Sequence, residues 1–355
     1  MSSERAAAAA PGASCPIPID RLERVVLGHG SGGRLTAQLV EELLLPAFRN
    51  PALEALDDQA VLDLRGSRIA MTTDSYVVSP IFFPGGDIGQ LAVHGTVNDL
   101  AMGGALPVAL SLALILEEGF PLADLARVID SARAAAARVG VPVVTGDTKV
   151  VGRGSGDGVF VNTTGIGLVP DGVRLGSSRV RAGDSILVSG TIGDHGMAIL
   201  AHREGLALEG ELVSDTAPLH ELAQAVLAAC PDTHAMRDPT RGGLAATLVE
   251  IAARQRLGIA IDEAALPVRD AVRGACELLG LDPLHVANEG KLVAFVPGEA
   301  EADVLRALRS HPLGREAQAI GRVRAEHPGV VVQRTWIGGE RVVDLPFAEP
   351  MPRIC

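Results

Sequence analysis

A chain of 355 residues and 36.7 kDa is long enough for two ordinary domains, each with its own buried core. Hydrophobic residues at 47% against charged residues at 21% exclude a disordered, collagenous or coiled-coil chain. A net charge of -12 excludes the basic face that nucleic acid or an anionic membrane requires, so neither partner is expected. Among the basic residues only Lys149 and Lys291 are lysine; every other one is arginine. Cys15, Cys230, Cys276 and Cys355 lie far apart, with neither a disulfide framework nor zinc-ligand spacing. No signal-peptide core precedes them, and a cytoplasmic location is expected.

Residues 1–28 read as a loose N-terminal arm. The glycine-rich HGSGGR then opens a helix with Leu35, Leu39, Val40, Leu43 and Leu44 on one face. Strands are predicted at Ala60 to Leu64 and Arg68 to Thr73, a helix over Ile88 to Ala101, and a strand within Ala109 to Leu116. An amphipathic helix from Leu122 to Arg138 precedes strands at Val141 to Thr145 and Val159 to Val169. From Ser185 the order restarts with a strand, helices over His195 to His202, Ala217 to Ala229 and Leu244 to Arg256, and further alternating elements to Val343. The class is therefore α/β (α+β), with domains over 29–172 and 173–343. Three prolines in the last ten residues deny them a helix or a central strand, which predicts an extended, movable tail over 344–355 whose resting position the sequence leaves open.

Carboxylates recur in turn-rich settings: Asp57-Asp58, Asp74 in TTDSY, Asn98-Asp99 in TVNDL, Asp147 in TGDTK and Asp238 in DPTRGG. Hard cations shared with substrate phosphates take oxygen ligands, so several convergent aspartates suit a metal-nucleotide site, while a lone one serves as a turn cap. Glycine strings, including Gly30, Gly32 and Gly33, allow backbone N–H groups near phosphate oxygens, yet no Walker or dinucleotide fingerprint occurs. Lys149 and Lys291 follow an acidic residue by two positions, and a lysine ammonium is a point donor that arginine does not replace. Cys355 sits on a proline-stiffened arm, a poor place for a packing residue and a good one for an accessible thiol.

Together HGSGG, TDSY, FFPGGDIG, NDLAMGGALP, TGDTKVV, VSGTIGDHG, DPTRGGL, ANEGKLV and the terminal EPMPRIC resemble the HypE family of carbamoyl dehydratases in NiFe-hydrogenase maturation. More broadly they resemble the aminoimidazole ribonucleotide synthetase and selenophosphate synthetase superfamily. The resemblance implies two α/β domains per protomer, N-terminal domains pairing in a homodimer, and Mg2+ with ATP in an acidic cleft. A carbamoyltransferase factor, HypF, would load Cys355, ATP would activate the carbamoyl oxygen, and dehydration would leave a thiocyanate. Its cyanide would pass to iron on a HypC–HypD scaffold.

On that resemblance the metal candidates are Asp58, Asp74, Asp99, Asp147 and Asp238. The nucleotide candidates are Gly30, Gly32, Gly33, Asp58, Asp74, Asn98, Asp147, Thr148 and Lys291. Lys149 would be the phosphoryl cation, and Glu289, with Asp99 as the second choice, the base that removes protons from nitrogen. Two rival readings are a phosphotransferase acting on a free small substrate and a non-catalytic thiol carrier.

Overall fold

In the computed structural model the described residues are 27–30, 33–64, 66–206, 210–345, 351 and 353–355. The N-terminal sheet is built from β1 (Ala60–Leu64), β2 (Ser67–Tyr76), β3 (Leu106–Glu117), β4 (Val143–Val151) and β5 (Val159–Val169), in the spatial order β1-β2-β5-β3-β4. Every pair is antiparallel except β3–β4. A parallel pair needs a crossover, and the helix Leu122–Val139 supplies it. Helix α1 (Arg34–Leu39) precedes this sheet in the chain, and α2 (Ile88–Met102) packs on it with α3 (Leu122–Val139) alongside.

Along β5 alternate residues are buried, with Val159, Val161, Thr163 and Gly165 turned toward α2 and Ile166 and Leu168 exposed. Met71 lies opposite Ile166 and is exposed too, as are Leu106, Val108 and Val144. One face of the sheet is therefore covered by helices and the other carries bare apolar side chains. The helix over residues 34–48 behaves similarly: Leu35 is buried, but Leu43, Leu44 and Phe48 are exposed.

The C-terminal domain has strands β6 (Ser185–Val188), β7 (Ala235–Arg237), β8 (Gly258–Asp262), β9 (Val293–Val296), β10 (Gln318–Arg324), β11 (Val331–Arg334) and β12 (Glu340–Val343). Their order is β12-β11-β8-β10-β6-β9-β7. Its helices are α4 (Asp194–Arg203), α5 (His220–Ala229), α6 (Gly243–Gln255), α7 (Asp270–Leu279) and α8 (Glu301–Ser310). Strands β6 and β9 are buried at every residue because both faces are covered. Ile186, Val188 and Phe295 pack with Leu244 and Leu248 of α6, while Leu187 and Ala294 pack with Val226 of α5 and Val304 of α8.

Helix α2 joins the two domains. Asp87 caps it by accepting from Gly89 N at 2.7 Å and Gln90 N at 3.1 Å, and only Gln90 and Asp99 along it are not buried. Asn98, expected at the nucleotide, instead spends its amide on the second domain. Its Nδ2 donates to Ala217 O at 3.0 Å and Glu289 O at 3.3 Å, and its Oδ1 accepts from Leu219 N at 2.7 Å.

The strand expected at Val141 to Thr145 begins and ends later, as β4, so Asp147, Thr148 and Lys149 lie inside a strand and not at a turn. Pairing with β3 carries them onward, since Ala113 lies beside Asp147 and Ile115 beside Lys149. Among the described residues no helix is long and apolar enough to cross a membrane.

Asn98→Ala removes three buried partners at once and is expected to cost about 3 kcal/mol. Urea unfolding of the full chain checks this; a loss of under about 1 kcal/mol would show that the domains are joined by other contacts.

Candidate active site

A cavity of ≈ 270 Å³ opens where the two domains meet. Each part of the chain delivers a different chemistry to it. The end of β2 supplies Asp74, Ser75 and Tyr76, the last turns of α2 supply Asp99, and the segment before β1 supplies Asp58. From the second domain come Arg237 at the end of β7, then Asp238, Thr240 and Arg241 before α6, with Glu250 on α6 and Glu289 before β9. Thr36 of α1 and Cys355 complete the wall. Gly95 is required on α2 because a Cβ there would stand 2.1 Å from the Tyr76 hydroxyl.

Among the described residues, six side-chain carboxyl groups and two guanidiniums line this cavity. Desolvation by burial raises Asp58, Asp99 and Glu289 well above the ordinary carboxylate range, and neighbouring carboxylates add to it in each case. Asp238 is pushed up to about 6, chiefly by burial, with Arg237 opposing the shift and Asp74 adding to it. Arg237 Nε stands 2.6 Å from Asp58 Oδ1 and its NH2 3.6 Å from Glu250. The Thr72 hydroxyl donates to Asp99 Oδ2 at 2.5 Å, and the Tyr76 hydroxyl to Asp74 Oδ2 at 3.2 Å. Asp58 Oδ2 and Glu289 Oε1 are buried without a hydrogen-bond partner among the described residues.

Mutual repulsion and orphaned oxygens are what a divalent cation relieves, so the donor set fits Mg2+ in chemistry. Among the described residues no three of these groups converge on one cation position. Magnesium ordinarily takes one or two carboxylates and fills the remaining positions with phosphate oxygens and water, so a complete protein cage is not needed.

Behind this wall lies a residue that the sequence did not single out. Asp215 Oδ1 accepts from Glu289 N at 3.0 Å, and its Oδ2 accepts from Lys291 Nζ at 2.8 Å. Burial works against ionised Asp215, but the Lys291 ammonium and the Glu289 N–H hold its carboxyl below the usual range. Lys291 thus lies outside the cavity wall and reaches Glu289 through Asp215.

Asp147, Thr148 and Lys149 are not brought to this cavity. They are exposed on β4, where Lys149 Nζ donates to both Asp147 carboxylate oxygens at 2.6 Å. The reason is topological, since β4 is the edge of the sheet farthest from β2 and the second domain. Gly30 ends a short turn, Gly33 precedes α1 and accepts from Ala37 N at 3.1 Å, and Gly32 lies outside the described residues. The GRGSGDG loop is taken by the protein's own carboxylate, because Glu117 accepts from Gly158 N at 3.0 Å and from Gly154 N.

The resting position of the tail, which the sequence leaves open, is inside. Met351, Ile354 and Cys355 are buried in the core cluster that also holds Tyr76, Val78 and Met197. Residues 353–355 run antiparallel to Val77–Ser79, with Val77 N donating to Cys355 O at 3.1 Å and Ser79 N to Arg353 O at 3.2 Å. Arg353 Nε donates to Val77 O at 3.1 Å, and its NH1 pairs with Asp157 at 2.6 Å. The apolar Met351 and Ile354, together with unpaired backbone groups beyond β2, outweigh the proline stiffness that suggested a movable arm. Arg241 NH1 lies 3.8 Å from the Cys355 sulfur.

The chain has counterparts among known proteins. The domains described as "AIR synthase related protein", N-terminal and C-terminal, match residues 56–169 and 181–333. The carbamoyl dehydratase HypE of Azotobacter vinelandii is 56% identical over 331 residues, which is 93% of this chain and 97% of that protein. The chain belongs to the HypE carbamoyl dehydratase family. HypE crystallised as a HypE–HypF complex superposes with a TM-score of 0.83 at 45% identity, covering 87% of this chain and 99% of that one. HypE in complex with ATP gives 0.79 at 48% identity, covering 94% and 100%. The aminoimidazole ribonucleotide synthetase-like fold expected from the motifs is the HypE fold seen here.

Within this cleft, Arg237, Glu250, Tyr76 and Asp215 were not named as site residues from the sequence. Arg241 lies in the DPTRGG string, which reads as a helix start able to hold an anion, and Arg237 adjoins it, while Tyr76 and Asp215 end TDSY and ELVSD, strings that share in the family resemblance.

Because Asp238 binds its proton more tightly folded than unfolded, its contribution to stability is full below about pH 4 and is lost as pH rises through about 6. Asp238→Asn, measured by thermal melting without nucleotide, is therefore expected to gain on the parent protein between pH 4 and about 6.5, by up to roughly 2–3 kcal/mol. A difference that stays flat across this range would place Asp238 in a solvated setting.

Proposed function

We propose that this protein dehydrates a carbamoyl group carried on Cys355, using ATP with Mg2+, and so makes a thiocyanate that supplies cyanide to a hydrogenase iron. The observation that carries this reading is the Cys355 sulfur in a carboxylate-lined cavity beside Arg241. A carboxamide oxygen is a poor leaving group. Transfer of the γ-phosphoryl to it, with loss of one N–H proton, gives an S-bound imidoyl phosphate. Breaking its C–O bond expels phosphate, and loss of the second N–H proton forms the C≡N bond. The sum is thiocarbamate plus ATP to thiocyanate, ADP, phosphate and a proton.

Glu289 is the base on this reading. Its backbone is clamped on both sides by Asp215 and Asn98, and burial raises the proton affinity of its carboxylate, which favours its taking up a proton. Asp99, buried and similarly raised, is the alternative. Arg241 stands where negative charge develops on the carbamoyl oxygen. Asp58, Asp74, Asp99 and Asp238 would hold Mg2+, which would neutralise triphosphate charge.

Lys149 serves this chemistry only through a second copy. The bare face of the N-terminal sheet supports a homodimer, since Met71, Val108, Val144, Ile166 and Leu168 leave a contiguous apolar surface exposed. Ser75 follows Met71 and Thr73 along this face and also lines the cavity, so a partner seated on the face reaches the cavity rim. There the partner's β4 would present Asp147, Thr148 and Lys149 to the nucleotide. A HypF-type carbamoyltransferase is the loading partner, and a HypC–HypD-type iron scaffold accepts the cyanide, in the cytoplasm.

Intact-mass spectrometry after incubation with the carbamoylating partner, carbamoyl phosphate and ATP is expected to show an adduct on Cys355 that then loses one water. ATP turnover should fall to background in Cys355→Ala, and full turnover in that variant would favour a free-substrate phosphotransferase. Binding of ATP that ignores magnesium in calorimetry would favour the thiol carrier.

Val144→Glu should yield monomers by sedimentation and lose at least about 10-fold in dehydration, as should Lys149→Arg within an intact dimer. A fully active monomer would return Lys149 to an ordinary surface charge.

A further inference from the structure

The tail is gripped from both domains. On one side stands the backbone of Val77–Ser79; on the other, two side chains of α4 take successive tail carbonyls. Arg203 NH2 donates to Arg353 O at 2.9 Å, and His195 Nε2 lies 2.8 Å from Ile354 O. His195 is fully buried, edge-on to Phe83 with ring centroids 5.6 Å apart.

The protonation pattern of His195 follows from its other nitrogen. Nδ1 lies 2.7 Å from Ser214 Oγ, which already accepts from Thr216 N at 3.2 Å and so has its proton available for Nδ1. That leaves Nε2–H to donate to the Ile354 carbonyl. Burial lowers the His195 pKa, so the ring remains neutral and keeps this arrangement. Ile354 is the residue next to the thiol, and its own side chain is buried in the core cluster. Carbonyl and side chain are thus both held, which sets the direction in which the Cys355 side chain leaves the backbone.

Ser214 adjoins Asp215, the residue that takes the Glu289 N–H and Lys291. Ser214 N in turn donates to Pro84 O at 2.9 Å, and Thr216 Oγ1 lies 3.2 Å from His94 Nδ1, which ties the segment to the N-terminal domain. We propose that His195 is a positioning residue for the dehydration, holding the cargo-bearing sulfur in register with Glu289 through the Ile354 carbonyl, with Ser214-Asp215 as the common reference for both. The kinetic consequence rests on the dehydratase reading; the grip on the tail does not.

Two variants of the full chain separate the roles. His195→Phe keeps the ring and loses the donor, whereas the side-chain amide of His195→Gln can restore a donor near Nε2. In unloaded protein, the rate of Cys355 alkylation by iodoacetamide, read by peptide mass spectrometry, should rise about tenfold in His195→Phe and return close to the parent rate in His195→Gln. With carbamoyl-loaded protein in single turnover at saturating ATP, conversion to thiocyanate should slow at least about tenfold in His195→Phe, with the ATP KM unchanged and the Gln variant rescuing the rate. Parent-like alkylation in His195→Phe overturns the grip. Faster alkylation with unchanged conversion overturns the positioning role, as does a Gln variant that melts like the parent yet rescues neither rate. Absence of conversion in the parent protein itself would instead sink the dehydratase reading, while the alkylation rates would still decide the grip.

Discussion

Six side-chain carboxyl groups facing one cavity with two guanidiniums, among the described residues, is the constraint around which this molecule is arranged. Like charges that close together, with water largely removed, raise one another's proton affinity, and Asp58, Asp99, Asp238 and Glu289 all show it. Two sheets, each with its own core, hold the groups in place against this repulsion. The same tension makes the cavity receptive to cationic charge and raises the proton affinity of Glu289.

The tail completes this arrangement by behaving as part of the fold. Its last residues add to the backbone beyond β2, bury Met351 and Ile354, and engage α4 from the other domain. A substrate attached to such a tail arrives already oriented, so the entropy of bringing reactant and base together is met largely by folding contacts. On the proposed reading, the same contacts would break when a partner loads the thiol. Hydrogen bonds to backbone, each with a modest net contribution, suit a segment that must both dock and leave.

Much of the chemistry could be read from the chain. Asp58, Asp74, Asp99, Asp238, Glu289 and Cys355 were each singled out, and the structure brings all of them to one cavity. Their surrounding turn and glycine motifs are local, and local signals survive in a linear string. Asp147 and Lys149 were equally conspicuous, yet they lie exposed on the edge strand β4. Nothing in TGDTK says which neighbour an edge strand faces, whereas the bare apolar side of the sheet does. Asn98 shows the opposite failure: beside Asp99 in sequence, it points into the second domain, because adjacent helix residues lie about 100° apart.

By itself the sequence determined the class of fold, the acidic character of the site and the presence of a terminal thiol. These follow from composition, periodicity and short motifs, which depend on residues close together in the chain. Only the tertiary structure decided that Cys355 is sheltered, that Arg237 and Arg241 supply the nearby positive charge, and that Lys291 reaches Glu289 by way of Asp215. His195 meeting Ile354 was decided there as well. Each of these joins residues far apart in the chain, and long-range packing of two domains and a tail, not local propensity, sets which distant groups come within a hydrogen bond of each other.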